Sequence, residues 1–171
     1  MLLDQIQLPK PIVNQYFNGG GIQKLLVDKA NKSWCFHFAL PNLLPANIYE
    51  ILETQLVQSF SHIAAVSFVL EAENNEYTEQ DVQQYWPICL NKVSLSPMFM
   101  YLQNQVPHVN GLKCILHVKN EIEATKIKDS LAKQISARYE TFGFPRFQFE
   151  AQVLQNDEET QRFREMKEQE D

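Results

Sequence analysis

Ser33-Trp34-Cys35-Phe36-His37-Phe38-Ala39-Leu40 ("SWCFHFAL") places a large apolar side chain at every second position. Successive side chains of a β-strand point to opposite faces. Trp34, Phe36, Phe38 and Leu40 therefore share one face, and Cys35, His37 and Ala39 share the other. The first face needs a core. The second raises a chemical question, because a cysteine and a histidine two residues apart can begin a metal or nucleophile site. Upstream, residues 22–28 read as a second strand, joined through Lys29-Ala30-Asn31-Lys32 in a hairpin.

Working outward, the triple Gly19-Gly20-Gly21 marks a bend and not a phosphate loop, because no Lys-Ser/Thr helix start follows it. Downstream, Pro45 fits the first position of a helix, where a missing N–H costs nothing. Ile48, Ile51, Leu52, Leu56 and Phe60 recur at three- and four-residue steps and give that helix one apolar face. Residues 63–73 are β-rich. Thr78 with Asp81 reads as a helix start, and helices are expected over 78–92 and 96–105, the second opened by Ser96-Pro97. Asn110-Gly111 is a turn and residues 112–118 a strand. Asn120 with Glu123 resembles a capping box for a helix to about Arg138, with the stripe Ala124, Ile127, Leu131 and Ile135. After Phe142-Gly143-Phe144-Pro145, the residues Phe147, Phe149, Ala151 and Val153 alternate with Gln148, Glu150 and Gln152 as a strand. The expected fold is α+β, a mixed sheet with helices on it, in the order ββαβ–αα–βαβ and without internal repeat. Its domain spans 22–154, after a lead segment 1–21 and before a charged linker or solvated helix, 155–171.

Bulk composition bounds the function classes. The 171 residues are 44% hydrophobic and 21% charged, and eleven Phe can fill a core. No apolar run approaches the roughly 20 residues of a membrane span. The start MLLDQIQLPKP lacks the charged beginning and long apolar centre of a signal peptide. Three cysteines, at 35, 89 and 114, do not form a disulfide framework, so a reducing, cytoplasmic setting is expected. The net charge of -6 argues against non-specific nucleic-acid binding. One local exception is the group Lys113, Lys119, Lys126, Lys128, Lys133, Arg138 and Arg146, set against four acids in the same stretch. A mixed helix surface is the favoured reading of it.

A zinc site needs four ligands, usually as two close pairs. Cys35 and His37 make one pair. Cys114 and His117, three apart on a strand, point to opposite faces, and Cys89, His62 and His108 stand alone, so no metal site is expected. Glu71/Glu73 and Glu121/Glu123 are paired carboxylates able in principle to do acid–base work, but at element ends they read as solvated charge. No catalytic residue is assigned and no cofactor is implied. Trp86, Phe142 and Phe144 are candidate partner-contact aromatics, with core filling the favoured reading of all three.

Several of these residues occur together in a known order. Lys32-Ser33-Trp34, Phe36-His37-Phe38, Leu44-Pro45, Phe60-Ser61-His62-Ile63-Ala64, Tyr85-Trp86, Glu123-Ala124-Thr125 and Phe142-Gly143-Phe144-Pro145 resemble the N-terminal region of PolC-type DNA polymerase III alpha subunits of low-GC Gram-positive bacteria. The triple glycine and Cys35 depart from the family pattern. The resemblance implies a type II KH-like fold, also similar to the alpha-binding domain of the clamp-loader tau subunit. It further implies a non-catalytic fragment, since the polymerase, 3′–5′ exonuclease and PHP regions of such enzymes lie far downstream. The implied partners are replisome proteins, tau first, together with the downstream polymerase domains. Single-stranded nucleic acid is the rival. KH domains clamp it with a Gly-x-x-Gly loop, and this sequence has none.

Overall fold

Two β-hairpins, each extended by a crossover helix and a third strand, form the framework of the computed structural model, which describes residues 6–154. In the first unit β1 (Gly21–Asp28) pairs antiparallel with β2 (Ser33–Asn42). The chain crosses through α1 (Ala46–Phe60) and returns as β3 (Ala65–Asn74), parallel to β2. A linking pair follows: α2 (Glu79–Lys92) and a 3-10 helix (Pro97–Asn104). The second unit repeats the plan. β4 (His108–Asn110) pairs antiparallel with β5 (Lys113–Val118), and β6 (Gln148–Val153) lies parallel to β5. Between them runs α3, residues 121–141, built of Glu121–Lys126, a π-helical stretch Ile127–Leu131, and Ala132–Thr141.

The α+β class holds. A short helical segment, Lys10–Ile12 continued by Val13–Phe17, precedes β1. From β1 onward the element order is ββαβ–α–3-10–ββαβ, a topological repeat that the sequence conceals. The strand missed is β4. Three residues are too few to show alternation, and only the Asn110-Gly111 turn signals the hairpin. The lead segment also differs from expectation. Ile6, Leu8 and Phe17 are buried, so the core begins before residue 22. The expected linker at 155–171 lies outside the described residues.

The stretch 33–40 behaves as its alternation requires. Phe36, Phe38 and Leu40 are buried, and Trp34 is half-buried with its ring 5.6 Å from that of Phe60. From α1, Ile48, Leu52 and Leu56 are buried in the same core, and the Phe60 ring lies 5.5 Å from that of Phe36. Cys114, Leu116, Val118 and Phe149 form the inner face of the second sheet. One continuous core serves both units.

The join between them is α2 with its aromatic surroundings. Thr78 and Asp81 form a reciprocal capping box: the Thr78 hydroxyl accepts from the Asp81 N–H, and the Asp81 carboxylate accepts from the Thr78 N–H. Beyond it, Tyr85 and Trp86 are almost wholly enclosed. Tyr85 packs 4.9 Å from Phe142 and donates its hydroxyl to the Leu44 carbonyl at 2.8 Å. Tyr139 of α3 donates to the Val82 carbonyl at 2.7 Å, and the Trp86 indole donates to the Leu102 carbonyl at 3.0 Å. Burial without such partners would cost each polar group dearly.

Phe142-Gly143-Phe144 ends α3. The Gly143 N–H donates to the Glu140 carbonyl and the Phe144 N–H to the Tyr139 carbonyl, the paired bonds of a Schellman ending. Gly143 takes φ +98°, and a Cβ there would meet Leu43 at 3.0 Å. The turn therefore serves two ends, terminating α3 and setting both phenylalanines into the join. Gly20 answers to a different constraint: a Cβ would come within 2.7 Å of the Ala39 carbonyl oxygen.

Phe142→Ala removes a fully enclosed ring that touches Tyr49, Tyr85 and Tyr139, and should cost about 3–5 kcal/mol. Tyr139→Phe, which keeps the ring and loses one hydrogen bond, should cost about 1 kcal/mol. Urea unfolding of the three proteins, read at unchanged m-value, checks both figures.

Candidate interaction surface

The cysteine–histidine pair that opened the chemical question sits on the outer face of the first sheet. Cys35 and His37 are half-buried; Leu26 of β1 lies across from Cys35, and Lys24 across from His37. Cys89 and Cys114 are in the core, where burial pushes each thiol up to about 12. They stay protonated at neutral pH, the opposite of an activated nucleophile. Among the described residues no group of three or more His, Cys, Asp or Glu side chains gathers in a way that could hold a metal ion.

The paired carboxylates separate. Glu71 and Glu73 are exposed on β3, and Glu121 is exposed at the start of α3. Glu123 is buried and fully engaged: its Oε2 accepts from the Lys119 N–H at 3.0 Å and from the Tyr101 hydroxyl at 2.8 Å. Asn120 accepts from the Glu123 N–H, so the start of α3 is capped and Glu123 ties it to the 3-10 helix. Burial, with the hydrogen bond to Glu123, raises the Tyr101 phenol above its ordinary pKa.

Trp86, Phe142 and Phe144 are 1%, 0% and 4% exposed. These side chains fill the join, and no partner can reach them in this fold. Large aromatics read the same in a sequence whether they pack inward or outward.

The seven basic residues do not form one patch. Lys113 pairs with Glu150 at 3.2 Å and Arg146 with Glu140 at 3.9 Å. Arg138 is half-buried and reaches the Lys92 carbonyl at 3.4 Å, while the Lys119 ammonium lies 5.0 Å from the Tyr101 ring. Lys126, Lys128 and Lys133, all exposed on α3, make no ion pair among the described residues. Two shallow grooves run between α3 and β6. Lys133, Ser136, Arg146 and Phe147 line one, and Lys128 with Glu121 and Glu150 lines the other.

A run of exposed apolar side chains lies elsewhere. All eight residues of β1 are exposed, and Ile22, Leu25, Leu26 and Val27 are 40–50% accessible. Leu25 and Val27 are partnered with Phe36 and Trp34, so they belong to the core-side face, yet β1 lies beyond the part of the sheet that is covered. The far edge of this sheet is closed differently, with the Gly143 turn lying against Leu70 and Ala72 of β3. In the second sheet, the Gln105 side chain stands in for a strand beside β5. Its amide donates to the His117 carbonyl and accepts the His117 N–H. Among the described residues β1 has no such cover. Sequence reasoning passed over it, although Leu25-Leu26-Val27 held a signal: three consecutive apolar residues cannot all face one way in a strand.

The comparisons with known proteins give first a class, then a family. The first 70 residues match the family described as DNA polymerase III polC-type N-terminus I, and residues 84–171 match N-terminus II. The chain belongs to the N-terminal family of PolC-type DNA polymerase III. The DNA polymerase III PolC-type of Bacillus cereus is 52% identical over 171 residues, all of this chain and 12% of that protein. The Bacillus subtilis protein of the same description is 41% identical over 169 residues, 98% of this chain and 12% of the relative. That of Halalkalibacterium halodurans is 35% identical over 173 residues, again 12% of its length. No solved structure matches the chain. No described helix is long and apolar enough to cross a membrane.

The thiols offer a direct check of this geometry. With Ellman's reagent at pH 8 the native chain should show one readily reacting cysteine, Cys35. Cys89 and Cys114 should react only on unfolding, and Cys35→Ser should abolish the fast phase.

Proposed function

We propose that this chain acts as a non-catalytic interaction domain at the N-terminus of a cytoplasmic, PolC-type replicative polymerase. Its first candidate partner is the clamp-loader tau subunit, alongside the polymerase domains that follow in such proteins. The observation that carries the reading is the open apolar edge of β1. A strand with unpaired backbone groups and exposed Leu and Val side chains is a template for another chain. The relatives supply the context of a replicative polymerase, and the resemblance of the sequence to that family supplies tau. The domain is taken as the described fold followed by a charged linker at 155–171.

Binding of single-stranded nucleic acid is the second reading, favoured by Lys128, Lys133 and Arg146 along the grooves beside β6. Affinity for a phosphate backbone comes from several cations acting together. Here Lys113 and Arg146 face carboxylates and Arg138 points inward, which weakens the case.

Calorimetric titration of the chain with tau, and separately with an oligothymidylate at two salt concentrations, separates the two. We expect saturable tau binding and at most weak, salt-sensitive DNA binding. Leu25→Asp should reduce tau affinity at least about tenfold with little change in thermal stability, because the side chain is exposed. Tight, salt-sensitive DNA binding lost in Lys128→Glu/Lys133→Glu, with no response to tau, would reverse the assignment.

A further inference from the structure

We propose that β1 pairs antiparallel with the β1 of a second copy of this chain, about a two-fold axis through Leu26, giving a six-stranded sheet across a dimer. The proposal rests on the reading of β1 as a contact edge; it adds a second copy as an occupant that tau would have to displace, and it gives the register.

Two features of the strand select that register. The pairing of β1 with β2 is interrupted between Ile22 and Lys24, and the hairpin turn begins after Asp28, so the regular stretch is Lys24–Asp28. Leu26 is its centre. An antiparallel pairing centred there uses the whole regular stretch on both sides, as a self-complementary two-fold contact requires. The same register is also complementary in charge. Lys24 falls opposite the second copy's Asp28, and Asp28 opposite the second copy's Lys24. Leu25 falls opposite Val27 on the core-side face, and Leu26 meets its own counterpart on the outer face. Opposite charges and paired apolar side chains directly across strands are the stabilising units of a sheet. Asp28 is suited to the role. Its carboxylate accepts from the Ala30 and Asn31 N–H groups at 3.0 Å, which holds it in place, charged, at the end of the strand. A shift of register by one residue would bring Lys24 opposite either Val27 or Lys29 and turn the apolar faces out of step.

Neither Pro nor a bulge interrupts Lys24–Asp28, and only Lys24 there is of the kind that guards a natural edge. In the proposed dimer both helix layers lie on the same side of the joint sheet, and the exposed row Leu25–Val27 becomes its middle.

Sedimentation equilibrium of the full chain from about 1 μM to about 1 mM, a range spanning weak to moderate affinities, should show a monomer–dimer transition. Amide exchange in Lys24–Asp28 should slow as concentration rises. K24D and D28K each bring like charges into opposition and should be monomeric over that range. An equimolar mixture should recover the dimer, because each variant's altered site then faces an opposite charge. The amide-exchange result on the unaltered chain stands even if D28K disturbs the turn. The proposal is overturned if the chain is monomeric throughout, if K24D dimerises as the unaltered chain does, or if protection of β1 is independent of concentration. A monomer that nevertheless binds tau would overturn the dimer and leave the interaction reading intact. A dimer indifferent to tau would do the reverse.

Discussion

The packing of Phe142 between Tyr49, Tyr85 and Tyr139 holds this protein together as one body. Tyr49 belongs to the first ββαβ unit, Tyr139 to the second, and Tyr85 to the helix between them. Three polar tips accompany the rings inward: two hydroxyls and one indole N–H, each donated to a backbone carbonyl. Burial holds the phenols of Tyr85 and Tyr139 above their ordinary pKa, so they remain neutral donors. Directional bonds fix the angle of α2, while the rings supply area. The two family descriptions leave a gap between residues 70 and 84, which takes in the end of β3 and the first turn of α2, the helix that joins the halves.

What the sequence made legible was local. The alternation of 33–40, the Thr78–Asp81 box, Asn120 before α3 and Gly143 at its end depend on neighbours within a few residues, and each forms as its chemistry demands. What stayed hidden depends on packing at a distance. Trp86, Phe142 and Phe144 look alike in either environment, and only the convergence of α2 and α3 puts them inside. The exposure of β1 is likewise set by how far the covered part of the sheet extends. The basic residues show the same limit, since clustering in sequence says nothing of Glu140 and Glu150 arriving beside Arg146 and Lys113.

The topological repeat becomes informative through its asymmetry. Both units present a hairpin strand at the edge of a three-stranded sheet. In the second, β4 is three residues long, and Gln105 completes the backbone bonding of β5 beyond it. In the first, β1 runs eight residues, all exposed, with no cover among the described residues. Two copies of one plan thus end with one guarded edge and one open edge. That difference is what the proposed docking on β1 rests on.

The chain contains two tryptophans, and the fold has distributed them between these two situations. Trp86 is enclosed in the join, stacked 6.2 Å from Phe149 with its N–H engaged. Trp34 is half-buried beside Val27, one strand in from the open edge. The domain therefore carries two built-in optical probes. The emission of Trp86 follows the integrity of the join, and that of Trp34 follows whatever docks on β1, so folding and docking can be watched separately in one unlabelled molecule.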